Sequence, residues 1–127
     1  MNKINLLYKD LTYRIIGILY DVFNEIGPGC RESYYERAVA RGFEKAKISF
    51  RRQMPYRVTY RGDIIGRYYF DFEVEGKVIL ELKRGDYFSR RNIHQLHEYL
   101  KASGLRLGML INFTSKGVKY KRILNIH

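Results

Sequence analysis

A chain of 127 residues, 46% hydrophobic and 29% charged, is expected to form a single domain over residues 1–127 around one core, with residues 1–9 as an N-terminal tail. Cys30 is the lone cysteine, which excludes an intrachain disulfide and suits a reducing cytoplasm; no apolar run approaches the roughly 20 residues of a membrane span, and MNKINLLYKD lacks the apolar stretch of a signal peptide. Lys and Arg number 24 against 13 Asp and Glu, a net charge of +11, which favours a polyanion such as nucleic acid as partner over a basic surface kept only for solubility.

The first helix is predicted from about Leu11 to Ile26, where Leu11, Ile15, Leu19, Val22, Phe23 and Ile26 recur at three- and four-residue steps as a buried stripe. Gly27-Pro28-Gly29 stops it. A second helix follows from Arg31 or Glu32 to Lys45, with Tyr35, Ala38, Val39, Gly42 and Phe43 inward. Ile48 to Tyr60 reads as a strand interrupted by Pro55 and ended by the turn Arg61-Gly62-Asp63. A lead-in from Ile64 joins the run from Tyr69 to Val74, which pairs about Gly76 with the run from Val78 to Lys83, and Gly85-Asp86 closes that strand. Ser89 is placed to cap a third helix over about Arg90 to Ala102, with Ile93, Leu96 and Leu100 inward and Gly104 as its stop. Leu105 to Phe113 is apolar almost without alternation, as a strand covered on both faces is, and Lys119 to Ile126 reads as a weaker, basic edge strand. This order implies an α/β fold, a mixed central β-sheet flanked by helices.

The segment DFEVEGKVILELK, from Asp71 to Lys83, carries the chemistry. If the hairpin folds symmetrically about Gly76, residues whose numbers sum to 152 stand opposite, so Asp71 faces Glu81. The period of two then sets Lys83 on the same face and Phe70, Phe72, Val74, Val78, Leu80 and Leu82 on the other. A two-residue turn at Glu75-Gly76 is the commoner choice, but it slips the register by one and sets carboxylates against the apolar row. Burying the large apolar side chains together, at about 1.5–3 kcal/mol each, outweighs the turn preference and selects the three-residue or bulged turn. The result is two carboxylates and an ammonium at one spot, a pattern suited to a metal ion with a lysine beside it.

An Asp followed ten residues later by Glu-x-Lys across a hairpin resembles the PD-(D/E)XK nuclease superfamily. Gly29-Cys-Arg-Glu32-Ser-Tyr-Tyr35 fits the pattern that names its GxxExxY branch. Ile26-Gly-Pro-Gly29, Val78-Ile-Leu-Glu-Leu-Lys83, Gln95-Leu-His-Glu-Tyr-Leu100 and Leu105-Arg-Leu-Gly-Met-Leu-Ile-Asn-Phe113 resemble the same branch, so the resemblance runs from about Leu11 to Phe113. The turn before the first acid departs from the pattern, with Tyr69-Phe70 where a proline gives the superfamily its name.

The resemblance implies a restriction-endonuclease-like core and a metal-dependent nuclease acting on DNA or RNA. Asp71 and Glu81, completed by the backbone carbonyl of Leu82, would hold Mg²⁺ or Mn²⁺, hard cations that prefer oxygen ligands. Glu32 corresponds to an additional N-terminal acid that supports the metal directly or through water. Lys83 would orient the attacking water and offset the charge that develops on the phosphodiester, and Gln95 would hold a phosphate or Lys83. Tyr35 and Tyr99 would support these groups from behind.

Plainer accounts of the same residues stay open. Asp71 and Lys83 also fit a cross-strand ion pair, and Glu32 a carboxylate favoured by a helix N-terminus, worth about 0.3–1 kcal/mol. Gln95 also fits a solvated helix position, Tyr35 a core residue and Gly27-Pro28-Gly29 a turn. His94 and His97 lack the further ligands of a zinc site, and Cys30 at a helix start has no histidine placed to activate it. Arg84, Arg90 and Arg91, following the Glu-x-Lys strand, are candidates for holding a nucleic-acid backbone, as are Arg57 and Arg61, which share a face of their strand with Tyr56 and Tyr60 turned inward. The rival to a nuclease is a non-catalytic nucleic-acid-binding or accessory subunit that keeps the fold. A domain this small leaves little room for a specificity element, which suggests a homodimer or a protein partner.

Overall fold

The computed structural model describes residues 7–126. Residues 1–6 of the expected tail lie outside the described residues, and Lys9 already belongs to the first helix. In chain order the elements are α1 (Lys9–Ile26), α2 (Glu32–Lys45), β1 (Phe50–Tyr60), β2 (Asp63–Val74), β3 (Val78–Arg84), α3 (Arg90–Ser103), β4 (Leu107–Phe113) and β5 (Val118–Leu124). The strands form one five-stranded sheet in the order β1-β2-β3-β4-β5. Only β3 and β4 run parallel, and α3 is the crossover their connection requires. No helix among the described residues is long and apolar enough to cross a membrane.

Helices cover both faces of the sheet. On one face α1 and α2 pack Ile15, Leu19, Tyr35, Val39 and Phe43 against Phe72, Leu80, Met109 and Ile111. On the other, α3 packs Leu96, Tyr99 and Leu100 against Ile79, Leu110, Ile123 and Phe70. Every residue of β4 is buried, as its unbroken apolar run requires. Ser89 caps α3 by accepting from the Asn92 N–H, and Gly104 closes it at φ 78° with its N–H on the Leu100 carbonyl. The stripe on α1 is shorter than its periodicity suggests: Ile15, Leu19 and Val22 are buried, but Ile26 at the end of the helix is exposed.

The β2–β3 hairpin has the symmetric register, with Phe72 opposite Leu80, Glu73 opposite Ile79 and Val74 opposite Val78. Glu75 and Gly76 take left-handed φ values of 55° and 65°, and the Lys77 N–H closes the turn on the Val74 carbonyl. One expectation fails here. Phe70 does not share the face of Phe72; it joins Tyr99 and Leu96 under α3, while Phe72 lies under α2. The strand rotates at Asp71, and β1 rotates with it at Gln53, whose φ is 54°. A strict period of two cannot anticipate such a rotation.

Pro55 does not interrupt β1 either. It pairs with Tyr69 in a continuous edge strand, where a missing N–H can face solvent. The register shifts between Val58 and Thr59, with Ile65 as the extra residue on β2. Arg61, at φ 47°, lies in the turn between Tyr60 and Asp63 and not on the strand face of Arg57. Tyr56 turns inward against Tyr99, whereas Tyr60 is 58% exposed, so only one of the two tyrosines is inward.

Close approach of α3 to the sheet depends on Gly108 in β4, where a Cβ would meet Leu96 atoms at 2.9–3.1 Å. Gly108→Ala is expected to cost about 1–3 kcal/mol through overpacking. Gly117→Ala, with nothing within 4 Å of its Cβ position, should change stability by less than about 0.5 kcal/mol. Urea unfolding of the two variants checks this; equal losses would contradict the packing assignment.

Candidate active site

The ladder between β2 and β3 ends at Phe72–Leu80, just short of the carboxylates. From there β2 stays with β1 and diverges from β3, which stays with β4. Backbone groups at such a fork lose their ladder partners and need others. Asp71 supplies one, its Oδ2 accepting the Leu82 N–H at 2.7 Å. Glu81 supplies the reciprocal one, its Oε1 accepting the Asp71 N–H at 3.3 Å. The two acids thus bridge the fork that their own strands open. A residue's N–H and C=O lie on the same side of a strand, so the Leu82 carbonyl also points into the fork.

Glu81 is 3% exposed. Burial, then the charge and hydrogen bond of Asp71, hold its carboxyl well above the ordinary carboxylate range. Burial likewise raises Asp71, against the opposing hydrogen bonds from Glu81 and the Leu82 N–H. Tyr68, half-buried on β2, donates its hydroxyl to Glu81 Oε2, and burial followed by that bond pushes its phenol up. Lys83 Nζ stands 3.8 Å from the same oxygen, the one ammonium paired with these acids among the described residues. Two adjacent carboxyls that resist ionising together, with a backbone carbonyl beside them, form a hard-oxygen donor set that fits a divalent cation. No cluster of three His, Cys, Asp or Glu able to hold a metal occurs among the described residues, so Glu32 does not join Asp71 and Glu81 in one.

The start of α2 closes the site's lower side. Glu32 Oε2 accepts the Arg84 N–H at 3.1 Å, one residue past Lys83. The Arg84 guanidinium reaches back to the carbonyls of Gly29 and Cys30 at 3.4 and 3.3 Å. Tyr35 is fully buried, stacked on Phe113 with centroids 4.1 Å apart. Its hydroxyl donates to the Gly27 carbonyl at 2.6 Å and accepts from the Cys30 N–H. Gly29 takes φ 80° to make the turn. Gly29, Glu32 and Tyr35 therefore act together, fastening the loop before α2 to the end of β3.

The remaining candidates divide. Leu82 and Lys83 lie at the fork, whereas Gln95 is half-buried on α3 and makes no side-chain hydrogen bond among the described residues. Arg90 and Arg91 are exposed in the first turn of α3, and Arg57 is exposed on β1. Tyr99 is a core residue, tilted against Phe70 at 4.8 Å. His94 and His97 line a shallow surface cleft with Glu98 and Lys101. Two residues near the site escape sequence reasoning. Tyr68 cannot be placed without knowing the strand's rotation. Glu36, whose charge helps raise Asp71, lies one helical turn beyond Glu32, and that i,i+4 spacing is the available signal. Glu36 also accepts from Arg52 at 3.0 Å and Gln53 at 2.8 Å, at the point where β1 rotates.

A family model described as the PD-(D/E)XK nuclease superfamily matches residues 9–123. No curated protein matches the sequence. A solved structure titled "Crystal structure of SSO0001" has a similar fold, with a TM-score of 0.57 at 12% identity. The match covers 75% of this chain and 50% of that one, so the chain spans half that structure's length.

The carboxyl pair has a consequence for stability. With both groups raised, the folded protein binds more protons than the unfolded chain between the ordinary carboxylate range and the raised values, so cation-free stability falls as pH rises through that window. Glu81→Gln removes one ionisation and is expected to raise the unfolding midpoint in EDTA by roughly 5 °C at the alkaline end, about 1 kcal/mol. It should also flatten the pH dependence. Thermal melts from about pH 5 to about pH 9 test this; a lower midpoint in Glu81→Gln throughout would contradict it.

Proposed function

The chain belongs to the PD-(D/E)XK nuclease superfamily, and from that premise we propose that it hydrolyses nucleic-acid phosphodiester bonds at the β2–β3 fork and that Gly29, Glu32 and Tyr35 mark it as a GxxExxY-type member. The observation that carries the activity is the convergence of Asp71, Glu81, Lys83 and the Leu82 carbonyl at one fork. Asp71, Glu81 and that carbonyl would hold Mg²⁺ or Mn²⁺, with Glu32 supporting the site through water. When bound, such a cation offsets the charge of the phosphodiester and eases deprotonation of water.

The chain's own groups do the rest. Lys83 orients the attacking water and stabilises the negative charge that builds on the phosphoryl oxygens as the new P–O bond forms. Tyr68 fixes Glu81 in its rotamer from the ribbon side of the fork. Glu32 and Arg84 hold the end of β3, which keeps Lys83 in place. Arg90 and Arg91 are cations at a helix N-terminus, where the dipole disfavours them, and an approaching phosphate relieves that conflict. Arg84 contributes to the same basic rim while bound to the loop. Cleavage would leave a 5′-phosphate and a 3′-hydroxyl, the bond to the 3′ oxygen breaking as water adds.

On a panel of linear and circular duplex DNA, single-stranded DNA, RNA and a four-way junction, cutting of whichever substrate is cleaved should depend on Mg²⁺ or Mn²⁺ and disappear in EDTA. Asp71→Ala and Glu81→Ala should abolish it, and Lys83→Ala should slow it about 100-fold or more. Binding without cutting, unchanged by these substitutions, would instead identify a non-catalytic nucleic-acid-binding subunit.

A further inference from the structure

Beyond Asp71 the β1–β2 ribbon leaves the body of the sheet, and every residue from Val58 to Ile65 is exposed. A two-stranded ribbon without a third strand or a core is marginal on its own in water. This one nevertheless presents Ile64 and Ile65 to solvent, Ile65 at 66% exposure. Its charges are as unusual. Arg57 stands directly opposite Arg67 in the ladder, and like charges so placed destabilise a strand pair. Neither has an acidic partner among the described residues, whereas Arg51 and Arg52, nearer the body, are paired with Glu73 and Glu36. Arg61 adds a third cation at the tip, its guanidinium 5.3 Å from the centre of the Tyr60 ring. None of the three forms an ion pair among the described residues, and Asp63 is the one acid between Arg57 and Arg67, so the ribbon keeps an excess of positive charge that an external polyanion offsets.

We propose that the outer half of the β1–β2 ribbon lies in the major groove of B-form duplex DNA, which makes duplex DNA the substrate that the fork receives; this rests on the nuclease reading of the fork. The major groove, about 12 Å wide, admits a two-stranded ribbon. The deep, narrow major groove of A-form RNA does not. Arg57 and Arg67 take phosphates along the groove wall, and Ile64, which stands opposite Thr59 on the same face of the ribbon, meets base edges, where thymine methyls offer apolar contact. Arg67 lies four residues from Asp71 on the same strand, about 13 Å away, so a duplex gripped there runs past the carboxylates. A second copy of this chain is a poorer occupant, since it brings the same unpaired arginines and another +11 of charge.

The test is fluorescence anisotropy of a labelled mixed-sequence DNA duplex, in EDTA to prevent cutting, over a series of KCl concentrations. Wild type is compared with the Arg57→Gln/Arg67→Gln protein, and the same sequence, unlabelled, as duplex DNA, duplex RNA and single-stranded DNA serves as competitor. The double variant should show a slope of log K against log [salt] shallower by about 1.8, at about 0.9 for each phosphate no longer neutralised. Its unfolding midpoint should be no lower than that of wild type, because the variant relieves a repulsion, and duplex DNA should compete best. An unchanged slope with duplex DNA still bound overturns the ribbon assignment and leaves the nuclease reading standing. Failure of wild type to bind any nucleic acid defeats that reading itself. A dimer that Ile64→Arg/Ile65→Arg separates, with DNA binding unaltered, overturns the proposal in favour of a protein interface.

Discussion

Two strands that begin as a tight hairpin and then part company impose a single demand: the backbone groups left at the parting must find partners. Asp71 and Glu81 meet it reciprocally, each taking an N–H from the opposing strand. That exchange draws two carboxyls into a buried space where both resist ionising, and it turns the Leu82 carbonyl toward the same space. The chemistry of the site and the break in the sheet are thus one feature. Pairing β2 with β3 through Asp71 would satisfy the backbone without the carboxylates and leave no place for a cation.

The surroundings serve the parting. Phe72 and Phe70 lie on opposite faces of the sheet, so β2 is anchored under α2 on one side of the rotation and under α3 on the other. Gln53, turned at the matching point of β1, and Glu36, which holds Arg52 and Gln53, keep the neighbouring strand in step. On the other prong, Glu32 and Arg84 tie the end of β3 to the loop that Tyr35 pins beneath Phe113. Lys83 is therefore carried by a strand fixed at both ends, while Tyr68 reaches Glu81 from the strand that departs.

Much of this is legible in the sequence, and the reasons differ from residue to residue. Asp71, Glu81 and Lys83 can be brought together because the apolar row of the hairpin selects its register, and the ladder adopts that register. The glycine and serine that bound α3 act as their chemistry requires. What stays hidden depends on departures from regular alternation. The rotation at Asp71 leaves no mark in a two-residue period, so that period gives Phe70 the wrong face and Tyr68 no role. Arg61 is off its expected face because the chain already turns there, at φ 47°. Glu36 is hidden for another reason: it reaches Asp71 only through tertiary packing of α2 across the start of the ribbon.

Whether the fork gathers its carboxylates into a divalent-cation site is tested most directly by calorimetric titration of the metal-free protein with Mn²⁺. The expected result is saturable binding that Asp71→Asn and Glu81→Gln each abolish while the circular dichroism spectrum of the fold is retained. Binding that survives both substitutions, or no binding by the folded wild-type protein, would contradict it.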